Sequence, residues 1–318
     1  MKKKIVILWH NGGRLANQLW LYVSVCAYAL EQKYGLENHS FFEYSDYFGI
    51  PQDSWVIKLL FFRPFSALRR LFPKKQGQVR KYFFKYYKVY VKCVEFFHKK
   101  DIVFAPDGEI SVPHYLKPSP NPDPAVSAFE KSDSPKLYLD GWLFRNPAGI
   151  EKYRKDIITF FQPKGIFLSK IQERLGSLRG KYKHVVGVHV RQGDYKYLWG
   201  GRRYFNEREI SEILHRYLDV HDIKKDDVVF VFASDGKINL VEFSDLNAEL
   251  SGFTDPVEDL FFLASTDVII GSDSTFGAFA SYYGDIPFIV FQKDGVDWGY
   301  YKNKTGFFPS KYSQTVCY

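Results

Sequence analysis

From Ile166 to Phe291 the sequence alternates helix-length stretches with short apolar runs, and this alternation restricts the fold to a parallel sheet covered on both faces. We expect helices from Ile166 to Leu178, Asn206 to Tyr217, Pro256 to Ala264 and Phe276 to Tyr283. Strands are expected from Val185 to Val190, Val228 to Phe232, Val268 to Ile270 and Phe288 to Phe291. The N-terminal stretch opens the same way: a strand from Ile5 to Trp9, a glycine turn, and a helix from about Ala16 to Lys33. Leu137 to Leu139 reads as a strand, a polar helix follows from about Gly149 to Phe161, and Phe161-Gln162-Pro163 closes the first domain. A chain of 318 residues exceeds what one core usually serves. We therefore expect two domains, 1–163 and 164–318, with a cleft between them.

Hydrophobic content of 46% with 25% charged residues is that of an ordinary globular protein. The apolar part of MKKKIVILWH is too short for a signal peptide, and no stretch reaches the ~18 apolar residues of a membrane span. The cysteines Cys26, Cys93 and Cys317 are odd in number and lack metal-ligand spacing, which argues against a disulfide framework or zinc site and for a reducing cytoplasm. The net charge of +8 is unevenly placed. Residues 55–100 hold thirteen Lys/Arg against the single acid Glu95, so this insert carries +12 and the rest of the chain −4. Basic character confined to one insert indicates a local anionic partner. Thirteen aromatics lie among those bases, and the segment reads as amphipathic helix. It suits a hairpin packed on its own domain or a membrane surface, the inner face of the cell membrane for a cytoplasmic chain. A nucleic-acid partner is disfavoured, although interleaved bases and aromatics also serve single strands. Between Pro113 and Pro135 six prolines mark a loop.

Ligands of open α/β sheets bind beyond the carboxyl ends of the strands, so four such ends carry the functional reading. In VVGVHVRQGD, 185–194, an apolar strand ends in His189, Arg191 and Asp194. His189 and Arg191 share a strand face. An arginine fork suits a diphosphate, or else Arg191 pairs with a structural carboxylate such as Asp194. In DVIIGSDSTFGAF, 267–279, the strand breaks into Gly271-Ser272-Asp273-Ser274-Thr275 before a helix whose N-terminus attracts phosphate. Ser and Asp also cap helices with no ligand present. In DPVEDLFFLAST, 255–266, Asp255, Pro256 and Glu258 form a capping box. Asp259 abuts an apolar run, where a carboxylate needs a partner such as the paired N–H donors of a guanine ring. The fourth end, residues 11–18, offers Gly12, Gly13, Arg14 and Asn17, without the dinucleotide pattern G-x-G-x-x-G. Asn17 and Gln18 read equally well as satisfied structural residues. No D-x-D occurs to hold a divalent metal, so arginine and helix N-termini would neutralise a leaving diphosphate themselves.

Together these segments resemble the bacterial α-1,2-fucosyltransferases and, more distantly, the protein O-fucosyltransferases and α-1,6-fucosyltransferases. HVRQGDY (189–195) resembles their H-x-R-R-x-D motif, supported by GGRLANQ (12–18), YLDGWLFRNPAGIEKYRKDIITFFQP (138–163), FVFASD (230–235) and EDLFFLASTDVIIGSDSTFGAF (258–279). The resemblance spans Ile5 to about Gln292, apart from the basic insert and the proline loop. It implies a GT-B fold, two Rossmann-like domains facing across a cleft, and inverting, metal-independent transfer of fucose from GDP-fucose to a glycan hydroxyl. The acceptor would belong to bacterial surface polysaccharide or oligosaccharide synthesis and is expected to be lipid-linked. GDP-fucose is a substrate, and no cofactor is implied. By motif position Arg191 would bind the diphosphate, His189 and Asp259 the guanosine end, and Ser274 and Thr275 the phosphates. Gly13, Arg14 and Asn17 would reach donor or acceptor from the first domain. Asp194 stands either as catalytic base or as the group that orients Arg191. Gln192 replaces the second arginine of the motif, and Gly271-Ser272-Asp273-Ser274-Thr275-Phe276-Gly277 replaces the Asn-Ser-Ser-Phe-Ser-Trp-Trp-Gly typical of the α-1,2 enzymes. These departures leave the linkage open and admit another GDP-sugar as donor.

Overall fold

A computed structural model describes residues 3–8, 13–50, 54–104, 131–141 and 144–313. Trp9, Asn11 and Gly12 of the N-terminal turn, the proline loop as far as 130, Trp142 and Cys317 lie outside the described residues. The chain divides into two compact units, Met1–Lys164 and Gly165–Cys317.

The first unit is built on four parallel strands, β1 (Lys4–Ile7), β2 (Gly35–Asn38), β3 (Ile102–Phe104) and β4 (Lys136–Asp140), in the order β2-β1-β4-β3. The last strand in sequence thus lies in the middle of the sheet. The helix Leu15–Gln32 joins β1 to β2 and is buried on every side from Leu15 to Ala29 apart from Asn17, as expected of a helix with no continuous polar face. The basic insert is helical throughout. A π-helical turn, Lys58–Phe62, runs into the helix Arg63–Leu71, and after Pro73 the long helix Gln76–Phe97 follows. Its inner face is structural: Phe61, Phe65, Phe83, Phe84 and Tyr87 form a core with Phe42, and Val94 packs on Val6, Leu8 and Tyr138 of the sheet. Two of the insert's bases turn inward. Arg69 donates to the Glu43 carbonyl at 2.9 Å, and Arg80 pairs with the Glu43 carboxylate at 2.7 Å. The helix expected from Gly149 to Phe161 is two, Pro147–Lys152 and Arg154–Phe160, broken at Tyr153.

The second unit holds five parallel strands, β5 (His184–Val190), β6 (Val228–Ser234), β7 (Ala248–Leu250), β8 (Val268–Gly271) and β9 (Phe288–Val290), in the order β7-β6-β5-β8-β9. β5 and β6 are almost continuously apolar because helices cover both faces of a parallel sheet. The chain leaves β5 toward β6 on one side and returns to β8 on the other. The carboxyl ends of β5 and β8 therefore flank the point where the strand order reverses, which is where such sheets bind ligands. The capping box expected at Asp255 forms only in part. Asp255 accepts from the Val257 N–H at 2.8 Å, but Glu258 turns to Lys170, also at 2.8 Å. A complete box stands instead at Asn206 and Glu209, ahead of the helix Glu207–His221.

Candidate functional site at the ends of β5 and β8

His189, the penultimate residue of β5, is buried, and its ring stacks on Phe276 with centroids 5.0 Å apart. Its Nε2 lies 2.8 Å from the Ser274 hydroxyl. Ser274 already accepts from the N–H groups of Phe276 and Gly277 as N-cap of the helix Thr275–Gly284, so its own proton goes to His189 Nε2. The imidazole is then a neutral acceptor at Nε2, with its proton on Nδ1. That edge faces the backbone of Ala233 but falls short of hydrogen-bond geometry. Burial, reinforced by the Arg191 charge, pushes the His189 pKa down to about 4. His189 therefore locks β5 to the start of the next helix. Ser274, likewise buried, serves as cap and as partner of His189, while Thr275 is half-buried at the first turn of that helix.

Arg191 is fixed from three sides. Its backbone N–H donates to the Ser272 hydroxyl at 2.9 Å, so the end of β8 sets the course of the chain beyond β5. Its guanidinium forks onto Asp194, Nε to Oδ1 at 3.0 Å and Nη2 to Oδ2 at 3.1 Å, and Nε also lies 3.2 Å from Oδ2 of Asp235. The pairing with Asp194, one of the two readings of this strand end, is the arrangement found.

Asp235 was not singled out from sequence beyond its place in FVFASD. It follows β6, and its Oδ1 accepts from the N–H groups of Gln192 and Gly193 at 2.8 and 3.2 Å, gripping the turn that carries Arg191. A Cβ at Gly193 would stand 2.9 Å from Asp235 Oδ2, so a larger residue there would have to displace the Asp235 carboxylate from the turn it grips. Arg203 was also missed. It stacks over Trp199 at 4.3 Å and lies 3.5 Å from Asp273, bringing a second guanidinium to the end of β8. Nothing local marks their place at the strand ends, because Asp235 meets Gly193 from 42 positions away and Arg203 meets Asp273 from 70.

Asp259 lies apart from this cluster. It sits on the helix Pro256–Leu263, and its Oδ1 accepts from the Ser251 hydroxyl just beyond β7 at 2.5 Å. Burial raises its pKa to about 6, against the opposing pull of the Ser251 hydrogen bond.

Gly13, Arg14 and Asn17 belong to the first unit. Gly13 presents its carbonyl to Gln18 Nε2 at 2.8 Å and to Arg80 at 3.2 Å, Arg14 is exposed at the N-cap of the helix Leu15–Gln32, and Asn17 is half-buried one turn on. Gln18 is buried; its Nε2 donates to the Gly13 carbonyl at 2.8 Å and lies 3.4 Å from the Glu43 carboxylate, while its Oε1 has no hydrogen-bond partner among the described residues. Among the described residues no group of three or more His, Cys, Asp or Glu converges as a metal site would require.

No family model and no curated protein matches the sequence. Solved structures do. A mutant of Arabidopsis thaliana FUT1 in complex with GDP is 11% identical over 91% of this chain and 70% of its own, with a TM-score of 0.54. POFUT1 in complex with GDP-fucose is 13% identical over 91% of this chain and 98% of its own, with a TM-score of 0.55. NodZ alpha-1,6-fucosyltransferase soaked with GDP-fucose is 14% identical over 93% and 97%, with a TM-score of 0.54. The chain has a GT-B fold. The two parallel sheets are its Rossmann-like halves, and at 11–14% identity the likeness is one of architecture. Within that GT-B fold Arg191 and the helix Thr275–Gly284 occupy the reversal point of the C-terminal sheet.

Proposed function

We propose that this chain is a fucosyltransferase that uses GDP-fucose, transferring fucose with inversion and without metal to a hydroxyl of a glycan acceptor. The observation that carries this reading is the meeting of Arg191 with the N-terminus of the helix Thr275–Gly284 at neighbouring strand ends, in a fold whose solved relatives hold GDP or GDP-fucose. Arg191, Thr275 and the helix dipole receive the diphosphate. Arg203 supplies a second positive charge where Gln192 replaces the motif's second arginine. Asp259, partly buried on the helix Pro256–Leu263, accepts the paired N–H donors of guanine.

In the transfer, the acceptor hydroxyl oxygen bonds to the anomeric carbon while the bond from that carbon to the β-phosphate oxygen breaks. GDP leaves with the electron pair, and the hydroxyl proton is lost to a base. Preorganised cations at the departing phosphate stabilise the charge that develops there. With both oxygens engaged by Arg191, Asp194 fits the role of positioning that guanidinium better than the role of base.

Purified protein is expected to gain thermal stability with GDP and not with UDP, ADP or CMP, and to release GDP from GDP-fucose when acceptor is present. Activity should persist in excess EDTA. Equal stabilisation by UDP would overturn the donor assignment, and activity lost in EDTA and restored by magnesium or manganese would overturn metal independence.

A further inference from the structure

The long helix of the basic insert, Gln76–Phe97, has three faces where an ordinary surface helix has two. Phe83, Phe84, Tyr87, Val91 and Val94 point inward and are buried. On the outside, Tyr82, Tyr86, Val89, Cys93 and Phe96 recur at helical spacing as one exposed apolar stripe, with Tyr82 68%, Val89 60% and Phe96 79% exposed. Beside it runs a second exposed stripe of bases alone, Lys81, Lys85, Lys88 and Lys92. The stripes touch, since the Lys85 ammonium lies 5.9 Å from the Tyr82 ring centre. The apolar stripe also opens into a groove of about 390 Å³ between the two helices of the insert, lined by Leu68 and Phe72 on one side and Val79, Tyr82 and Tyr86 on the other.

We infer that this outer face docks on an anionic lipid bilayer, with the lysine stripe on the headgroups, the aromatic stripe in the headgroup–acyl boundary and the groove open to an acyl chain. Charge selects the occupant. Glu95 is the only acid in residues 55–100, so two copies meeting through this face would set like charges against each other. Arg69 and Arg80 are engaged with Glu43 and add nothing to the outer face, which leaves the attraction to the exposed lysines and to Arg63 and Arg70. A helix with a basic face beside an exposed aromatic one is the form that lies in a membrane interface. No helix among the described residues is long and apolar enough to cross a membrane, so the contact is with its surface. This inference stands independently of the donor chemistry.

The test is co-sedimentation of the whole protein with vesicles of phosphatidylcholine alone or mixed with phosphatidylglycerol, at low ionic strength and at about 1 M salt, where the Debye length is ~3 Å. Intact protein is expected to pellet only with the anionic vesicles and to be released by salt. Replacing Lys81, Lys85, Lys88 and Lys92 by Gln should weaken partitioning by on the order of 1000-fold, and replacing Tyr86, Val89 and Phe96 by Ser should weaken it separately. The four lysines are exposed, so thermal unfolding of the Gln variant should match the parent, whereas Tyr86 also packs on Phe61 and Phe83, so the Ser variant is compared at a temperature where its unfolding curve shows it fully folded. Intact protein left in the supernatant with anionic vesicles at low salt overturns the inference. So does equal binding to neutral vesicles, or binding of a single-stranded oligonucleotide in place of vesicles.

Discussion

Arg191 arrives at the strand end already paired with Asp194 and Asp235, so an incoming diphosphate competes with carboxylates for the guanidinium. Arg191→Ala should cost about 2–4 kcal/mol of transition-state stabilisation, read as a loss in kcat/KM with the fold intact. Arg191→Lys should recover little, because a point charge does not reproduce the fork. Asp194→Asn separates the two roles open to that residue. Positioning predicts GDP binding at least as tight as in the parent and a modest fall in kcat, whereas a base predicts a loss of ~10²–10⁴-fold in kcat with GDP affinity unchanged. At Asp259 burial holds the pKa near 6, and guanine requires the carboxylate. GDP affinity should therefore be full above about pH 6 and fall about tenfold per unit below it. Asp259→Asn should bind weakly with no such pH dependence, as titration calorimetry across pH 5 to 8 would show. His189, Arg191 and Asp259 were legible in the sequence because each places a polar group at the end of an apolar run. Asp235 and Arg203 were not, since only the folded sheet brings them to their partners.

The join between β5 and β8 governs how these side chains meet. A Cβ at Gly271 would stand 2.3 Å from the His189 carbonyl oxygen, so Gly271→Ala must push the strands apart at the candidate site. It should cost roughly 1–3 kcal/mol in urea unfolding and weaken GDP binding as well. The same join titrates. His189 is neutral in the fold with its pKa held near 4, against about 6.5 when unfolded, so stability is fully present above pH 6.5 and is lost as the pH falls toward 4. His189→Gln should flatten that dependence. The strands and helices of the second unit were readable because their apolar runs are bounded by turn residues and differ clearly in length. β2, with the sequence GLEN, and β7, with AEL, were not, because neither carries an apolar run and each forms by pairing at a sheet edge. The proposed box at Asp255 failed for a tertiary reason, since Lys170 of another helix claims Glu258.

Seen whole, the molecule uses one plan twice: a parallel sheet whose order reverses beside its first strand, β1 against β4 and β5 against β8. The division near residue 164 and the α/β class follow from length and alternation, and the motif resemblance narrows the class to GT-B. The inward turn of Arg69 and Arg80 was not readable, because composition counts bases without saying which way they face. The central place of β4 has a consequence for the order of synthesis. β1 and β3 are adjacent to β4 and not to each other, so the first sheet stays split while residues 8 to 135 are made, an interval on the order of ten seconds at ~5–20 residues per second. Through that interval β1 offers an open apolar edge that only its own late strand can close. Ribosome-bound chains stopped before residue 136 should be cut readily by protease within the first unit, and chains extended well past residue 164 should resist. The first unit is thus committed at a single late step, which makes β4 the point where a nascent chain either closes its sheet or aggregates.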